Sequence, residues 1–442
     1  MWRRLSALST AMPLVGLTLM VDVARAADSP ELVQQLLDRI RVLEERLDKL
    51  ERVEVIKKTV EYVCPSGEIF EQPPPGGRCP DGARPQIRDT VRKLTLARRE
   101  SIGEKIEAAL QDAEAKKVAI GGAARAGVQQ VINGRDGQNK LFGEGSVDLT
   151  LLYRPMVRTT LFIDLEAIGG PGPDHKLGSL SRVNTDAETL GGQDEKFMVR
   201  EAWLGLRFIN DRLNLFVGKL DATNYFDRNA FANDETTQFL NSALKNNPML
   251  KQPPNGPGIV TRWDAGRDLG FSLGGHAPND LGKDLAGGPY VIGEIDVHSA
   301  RLIDGNYRLW ARTSTLPTDH RRQTWAVGVN LDQRLTPQLG VFGRAGFSLI
   351  EGMNRTFYAA STGLQWTGPL WDRPRDRLGV GYSFQREVVG QEHVAEAYYN
   401  AFLTDHLSVI GNVEWLASGP NQVTGKTNRD VIIPGVRATV GF

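Results

Sequence analysis

From Ala119 to Phe442 the sequence is written in alternation. Segments of roughly ten residues carry apolar side chains at every second position, with polar or charged ones between, and turn residues break them apart. The final segment, VIIPGVRATVGF, fixes the phase. Ile432, Pro434, Val436, Ala438, Val440 and Phe442 form an uncharged set, while the opposite set contains Arg437 and Thr439. The phase recurs in Leu161/Ile163/Leu165 against Asp164/Glu166, and in Ala202/Leu204/Leu206/Phe208 against Glu201/Arg207. It recurs again in Trp325/Val327/Val329/Leu331 against Asn330/Asp332, and in Leu378/Val380/Tyr382/Phe384 against Ser383/Gln385. A charged face without a matching apolar core belongs in water, and the apolar face then belongs in lipid. In hydrocarbon no backbone N–H or C=O can be left unpaired, so such a sheet must close on itself.

Sixteen candidate strands fit this pattern, near 122–133, 145–153, 158–167, 197–209, 213–220, 258–264, 268–276, 290–299, 306–315, 323–333, 339–350, 356–367, 376–386, 393–404, 406–416 and 430–442. Their connections alternate. Short ones fall at Arg154–Val157, Asn210–Arg212, Ala265–Arg267, Asp304–Gly305, Thr336–Gln338 and Asp405. Long ones fall at 168–196, 221–257, 277–289, 316–322 and 417–429. A transmembrane barrel keeps that parity because one rim has tight turns and the other has long loops. The expected fold is an all-β transmembrane barrel of 16 antiparallel strands over 119–442, preceded by a periplasmic α-helical, coiled-coil segment. At this strand number the interior is a channel rather than a filled core.

Composition excludes several alternatives. Hydrophobic residues make up 40% of the chain and mean hydropathy is −0.31, which rules out a bundle of membrane helices. Lys+Arg 53 balances Asp+Glu 53, so no basic surplus points to nucleic acid. His175, His276, His298, His320, His393 and His406 are scattered, and H-E-x-x-H does not occur. GPNQVTGKT (Gly419–Thr427) has one residue too many between its glycines for a phosphate loop and reads as an external loop. The chain is therefore expected not to be an enzyme and to need no cofactor or metal.

The N-terminal part has a different texture. Residues 1–26 read as a secretory signal: Arg3 and Arg4, an apolar run from Ala11 to Val21, and the cleavage site Ala24-Arg25-Ala26. Residues 27–58 read as helical. Val33, Leu36, Ile40, Leu43, Leu47 and Leu50 repeat at 3 and 4, the seam of a short coiled coil joining protomers, or of a helix packed on its own chain. Residues 59–88 form a Pro/Gly-rich loop. Cys64 and Cys79 lie in it, and in an exported protein they are expected to pair as a disulfide; the alternative is a metal site. Residues 89–118 read as a second helix.

Two stretches carry a resemblance. REAWLGLRF with GKLDATNYFDRNAFANDETTQFLNSALKNNP (200–248) resembles the signature region of the carbohydrate-selective porins of bacterial outer membranes. EHVAEAYYNAFLTDHLSVIGNVEW (392–415) resembles their penultimate hairpin, and a closing aromatic residue such as Phe442 is similar to the terminal signal of outer-membrane proteins. The likeness spans about 120–442. It implies passive diffusion of sugars across the outer membrane of a Gram-negative-type bacterium, with the N-terminal segment in the periplasm. The heptads and the Cys64–Cys79 loop depart from the simplest members of that family.

The strand phase turns Trp203, Trp310, Arg207, Arg308, Arg312, Arg344, Arg437, Glu201, Glu294, Asp296, Glu396 and Glu414 inward. An indole face can stack on a pyranose, an arginine fork can donate to hydroxyls, and a carboxylate can accept from them. The same charges can equally pair with one another across a wet pore. The loop 221–257, with Tyr225, Phe226, Phe231 and Phe239, is expected to fold in and constrict the channel. Expected partners are outer-membrane lipid, sugars or other small hydrophilic solutes, a homotrimer formed through the heptads, and peptidoglycan. The competing functions are a channel for anions or small acids, and an envelope-organising barrel.

Overall fold

The computed structural model describes residues 118–442 except 136, 157, 171, 188–194, 210, 267, 278–287, 300–304, 317–318, 354, 369–372, 418, 420–429 and 442. Towards the N-terminus it describes the backbone of 54–63, 69–70 and 86–95.

Those N-terminal residues form a small antiparallel sheet of β1 (Glu54–Val63), β2 (Ile69–Phe70) and β3 (Gln86–Thr95), in the order β2-β1-β3. Lys58 stands opposite Val91 and Val60 opposite Asp89. The sequence reading carried one helix through residue 58 and started another at residue 89; the backbone at both places is strand. Val55, Ile56, Thr59, Val60 and Val63, and Ile87, Thr90, Val91 and Thr95, are β-branched. Such side chains lose rotamer freedom in a helix and pack well on a pleated surface. The signal segment, the heptads from Val33 to Leu50, the Cys64–Cys79 pairing and residues 96–117 lie outside the described residues.

The second unit is a closed barrel of sixteen strands. They are β4 (Val118–Gln130), β5 (Leu141–Met156), β6 (Thr159–Gly169), β7 (Glu195–Phe208), β8 (Leu213–Leu220), β9 (Gly256–Asp264), β10 (Leu269–His276) and β11 (Tyr290–Ser299). The second half comprises β12 (Gly305–Leu316), β13 (Asp319–Arg334), β14 (Leu339–Ile350), β15 (Thr356–Thr367), β16 (Arg377–Glu387), β17 (Gly390–Phe402), β18 (Leu407–Ala417) and β19 (Val431–Gly441). Each pairs antiparallel with the next, and β19 returns to β4 with Val436 opposite Val128 and Ala438 opposite Ala126. Closure leaves no unpaired edge, which hydrocarbon demands. All sixteen segments anticipated from alternation are strands.

The phase read from the last strand holds around the wall. Val329, Leu331, Val436 and Val440 are exposed on the outside, while Asn330, Asp332, Arg437 and Thr439 are buried on the inside. Exposed outward aromatics collect at both rims. Tyr153, Phe208, Trp263 and Trp366 sit where β5, β7, β9 and β15 end; Phe197, Trp325, Phe347 and Tyr358 sit at the opposite rim. Two such belts are what amphipathic rings do at membrane–water boundaries.

The rim that carries the β5–β6, β7–β8 and β9–β10 connections is called the turn rim here, and the other the loop rim. The parity of loop lengths is weaker than the sequence suggested. The anticipated loop 316–322 shrinks to 317–318, because β13 begins at Asp319 and its pairing with β12 absorbs a bulge at Thr315/Leu316. At the loop rim the connections after β14 and β16 are also tight, and 368–376 at the turn rim is longer than either.

Candidate functional site

The segment between β8 and β9, residues 221–255, enters the barrel and lies against its inner wall. Its local structure follows from Asp and Asn at turn starts. The Asp221 side chain accepts from Thr223 N over the 3-10 turn Ala222–Asn224. Asn241 caps the short helix α2 (Ser242–Lys245), and Asn247 caps the 3-10 turn Pro248–Leu250. (A helix of the same length, α1, spans Asp174–Leu177 in the β6–β7 connection.) Phe226, Phe231, Phe239, Leu244 and Met249 are buried. Phe239 meets Phe342 and Tyr398 at ring-centroid distances of 5.5 and 5.0 Å. The wall makes room with glycine: a Cβ on Gly340 would lie 2.1 Å from the Phe231 ring, and one on Gly274 would lie 2.7 Å from Phe226.

Polar groups of the wall hold this loop by its backbone. Arg344 donates to the carbonyl oxygens of Leu244 and Ala232 at 2.8 and 2.6 Å, and Arg437 donates to that of Gln238. Arg312 donates to Met249 O at 3.1 and 3.0 Å, and Arg308 donates to Arg228 O at 2.6 Å. Glu396 accepts from the N–H groups of Leu240 and Asn241, Glu414 from Asn241 Nδ2, Glu294 from Asp227 N, and Glu201 from Asp221 N and Asn224 Nδ2. At the hub is Asp227, with no exposed surface. It accepts from Trp310 Nε1 at 3.1 Å, Asn330 Nδ2 at 2.9 Å and Asn247 N at 2.8 Å, and it pairs with Arg344 at 3.1 Å.

The inward orientation of the residues picked out from sequence is as expected; the surroundings expected for several of them are not. Trp310 is 0% exposed beneath the loop, and Trp203 is 7% exposed between Phe162 and Phe216. Neither indole presents the wet face that stacking on a sugar requires. Of the polar set, Arg308, Arg312, Arg344, Arg437, Glu201, Glu294, Glu396 and Glu414 serve the loop, and Arg308 also pairs with Asp296 and Asp332 at 3.4 and 2.8 Å. Arg207 stands apart near the turn rim, 3.8 Å from Asp211. Tyr225 packs on Phe216 at 5.0 Å.

A second segment, between β6 and β7, leans on the first. Arg182 N donates to Ser242 Oγ, Thr185 N to Leu240 O, and Glu392 on β17 accepts from Leu180 N and Ser181 N. The β4–β7 side of the lumen faces these two segments across a charged collar. There Arg125 pairs with Asp148 and Asp186. Arg200 pairs with Glu166 at 2.8 Å and Glu235 at 3.6 Å, and Lys245 pairs with Glu235 at 2.6 Å. Burial would raise the Glu235 carboxyl, but the Lys245 ammonium and the Arg200 guanidinium outweigh it and hold the group at about 2.

Sequence reasoning passed over Arg125 and Arg200. Simple alternation puts Arg200 in lipid, because Glu201 faces inward. The β6–β7 register, however, steps from Asp164↔Glu201 to Leu165↔Val199, so Arg200 is the extra residue of a bulge, and its guanidinium reaches the lumen carboxylates.

Two cavities flank the infolded segments. One of about 650 Å³ at the loop rim is lined by Lys251, Pro253, Tyr290, Arg312, Phe357 and Glu387 among others. The other, of about 430 Å³ towards the turn rim, is lined by Arg125, Asp148, Asp164, Arg200, Glu235 and Thr439 among others. A greasy-walled cylinder with vestibules on either side of an infolded strap has the form of a diffusion channel.

Residues 279–442 match the family model of the carbohydrate-selective porin, OprB family. The same fold is seen in the high-pH structure of Pseudomonas putida OprB, with TM-score 0.60 and 14% identity, covering 75% of this chain and 96% of that one. The low-pH structure of the same porin gives a TM-score of 0.50 at 11% identity, covering 78% of this chain and 100% of that one. At these identities the likeness is one of fold. An uncharacterized protein of Aquifex aeolicus (strain VF5) is 24% identical over 241 residues, 53% of this chain and 68% of its own length.

Proposed function

We propose that this protein is an outer-membrane porin that passes small hydrophilic solutes, carbohydrates first among them, by passive diffusion. One observation carries the reading: a closed barrel, apolar outside and charged inside, narrowed by its own loop 221–255 seated on the inner wall. The match of residues 279–442 to the carbohydrate-selective family supports sugars as the solute class. A narrow passage walled by paired charges of both signs suits neutral polyols, whose hydroxyls both donate and accept. The barrel does no chemistry in this reading. The turn rim faces the periplasm, where the N-terminal heptads would join protomers into a homotrimer and contact peptidoglycan.

Purified protein in planar bilayers and in liposomes tests this. Discrete conductance steps are expected, with swelling rates that fall steeply from mono- to trisaccharides. Liposomes that stay impermeable to monosaccharides would refute it.

A further inference from the structure

The collar contains more carboxylates than cations, and the surplus is local. Across β5–β6 Asp148 stands directly opposite Glu166, and across β6–β7 Asp164 stands directly opposite Glu201. Like charges in directly opposed positions destabilise a sheet, so two such rungs side by side are a cost the wall carries. The first rung is answered: Arg125 pairs with Asp148 and Arg200 with Glu166. The second rung is not. Glu201 accepts from the neutral Asp221 N–H and Asn224 amide. Among the described residues no cationic side chain lies within ion-pair distance of Asp164, and its Oδ1 is buried without a hydrogen-bond partner. Asp164 is 4% exposed and lines the turn-rim cavity of about 430 Å³. A carboxylate set in a low-dielectric wall and aimed into a confined aqueous space focuses its field there; it gathers counter-ions of opposite sign and repels its own.

We infer that the turn-rim vestibule is a cation-attracting filter with Asp164 as its specificity-determining residue, so that the channel passes small cations ahead of anions. The inference rests on the porin reading and adds the sign of the charge the pore favours. A neutral sugar passes such a filter without electrostatic penalty, while an organic acid of the same size is held back.

Reversal potentials across a KCl gradient, measured on the purified full-length protein in planar bilayers at neutral pH, test it. The unaltered channel is expected to favour K⁺ over Cl⁻ several-fold. Asp164→Asn is expected to bring the permeability ratio towards one, and Asp164→Lys to invert it, with heat-modifiable migration in SDS gels confirming that the barrel forms. Should these variants not fold, the unaltered channel carries the test: spermine added on both sides is expected to reduce the current, and sulfate is not. An anion-preferring or unselective channel, an unchanged ratio in a folded Asp164→Asn, or indifference to spermine would each overturn the inference and leave the porin reading standing. Absence of any conductance would overturn both.

Discussion

Asp227 is the residue on which the seat of the constricting loop depends most. It sits in the left-handed region at φ 55, and its carboxylate gathers Trp310 from β12, Asn330 from β13, Arg344 from β14 and the Asn247 N–H of the loop itself. Asp227→Ala would leave the Arg344 guanidinium in a fully buried site without its counter-charge. Removing one member of a buried pair costs about 3–5 kcal/mol. At roughly 1.4 kcal/mol per tenfold, the unseated population of the loop rises by a factor of about 10² to 4 × 10³. The strand ladder does not include Asp227, so the barrel should still form and show its heat-modifiable gel shift. Single-channel recording is then expected to show a larger, noisier conductance, and liposome swelling is expected to lose its discrimination among saccharides. Replacing both partners, Asp227→Leu with Arg344→Met, removes the stranded charge and should restore much of the quiet, narrow state. A folded Asp227→Ala channel with unchanged conductance and unchanged sugar exclusion would refute the idea that this hub holds the constriction.

Further outcomes follow from the same geometry. Gly340→Ala pushes a methyl into the Phe231 ring, an overpacking of about 1–3 kcal/mol, and is expected to increase current noise while leaving the barrel folded. Val329→Arg places a charge on the lipid face and should lower stability by about 2–4 kcal/mol if it lies at mid-depth, measured by denaturant unfolding in vesicles; an unaltered midpoint would move that face out of lipid. Glu235 lies below its ordinary value of 4.5, so its ion pairs contribute fully above that value and are lost as pH falls through about 2. Conductance should therefore show no loosening from this group between pH 7 and 5, and Glu235→Gln should remove any step that appears near the acid limit.

The barrel was legible because its physics is repetitive. One strand, VIIPGVRATVGF, set the phase for the rest, since a slip of one residue would carry Arg437 into hydrocarbon. What alternation conceals is any residue that breaks it. Arg200 reads as lipid-facing by count and reaches the lumen through a bulge; β13 starts early through another. The strands β1 and β3 were concealed differently, because charged residues in EVIKKTVEYV and QIRDTVRKLT satisfy a helical reading as readily as a strand one until the β-branched content is weighed.

The lumen shows why phase alone does not assign a role. Parity says which side of the wall a charge faces and nothing about what it meets there. Arg344, Arg437 and Arg312 read equally as donors to a passing sugar or to something permanent. The length of the 221–255 connection decides between these. Folded into a barrel, its few turns leave many backbone N–H and C=O groups without partners, and buried backbone groups must be paired. The wall is their nearest source of donors and acceptors. Arginines find the carbonyl oxygens of Leu244, Gln238 and Met249, and Glu396 finds the N–H groups of Leu240 and Asn241. In a barrel with one long connection rich in Asn and Asp, inward charges are therefore anchors for that connection first. Those without a partner in it, such as Asp164, are the ones left to act on what passes through.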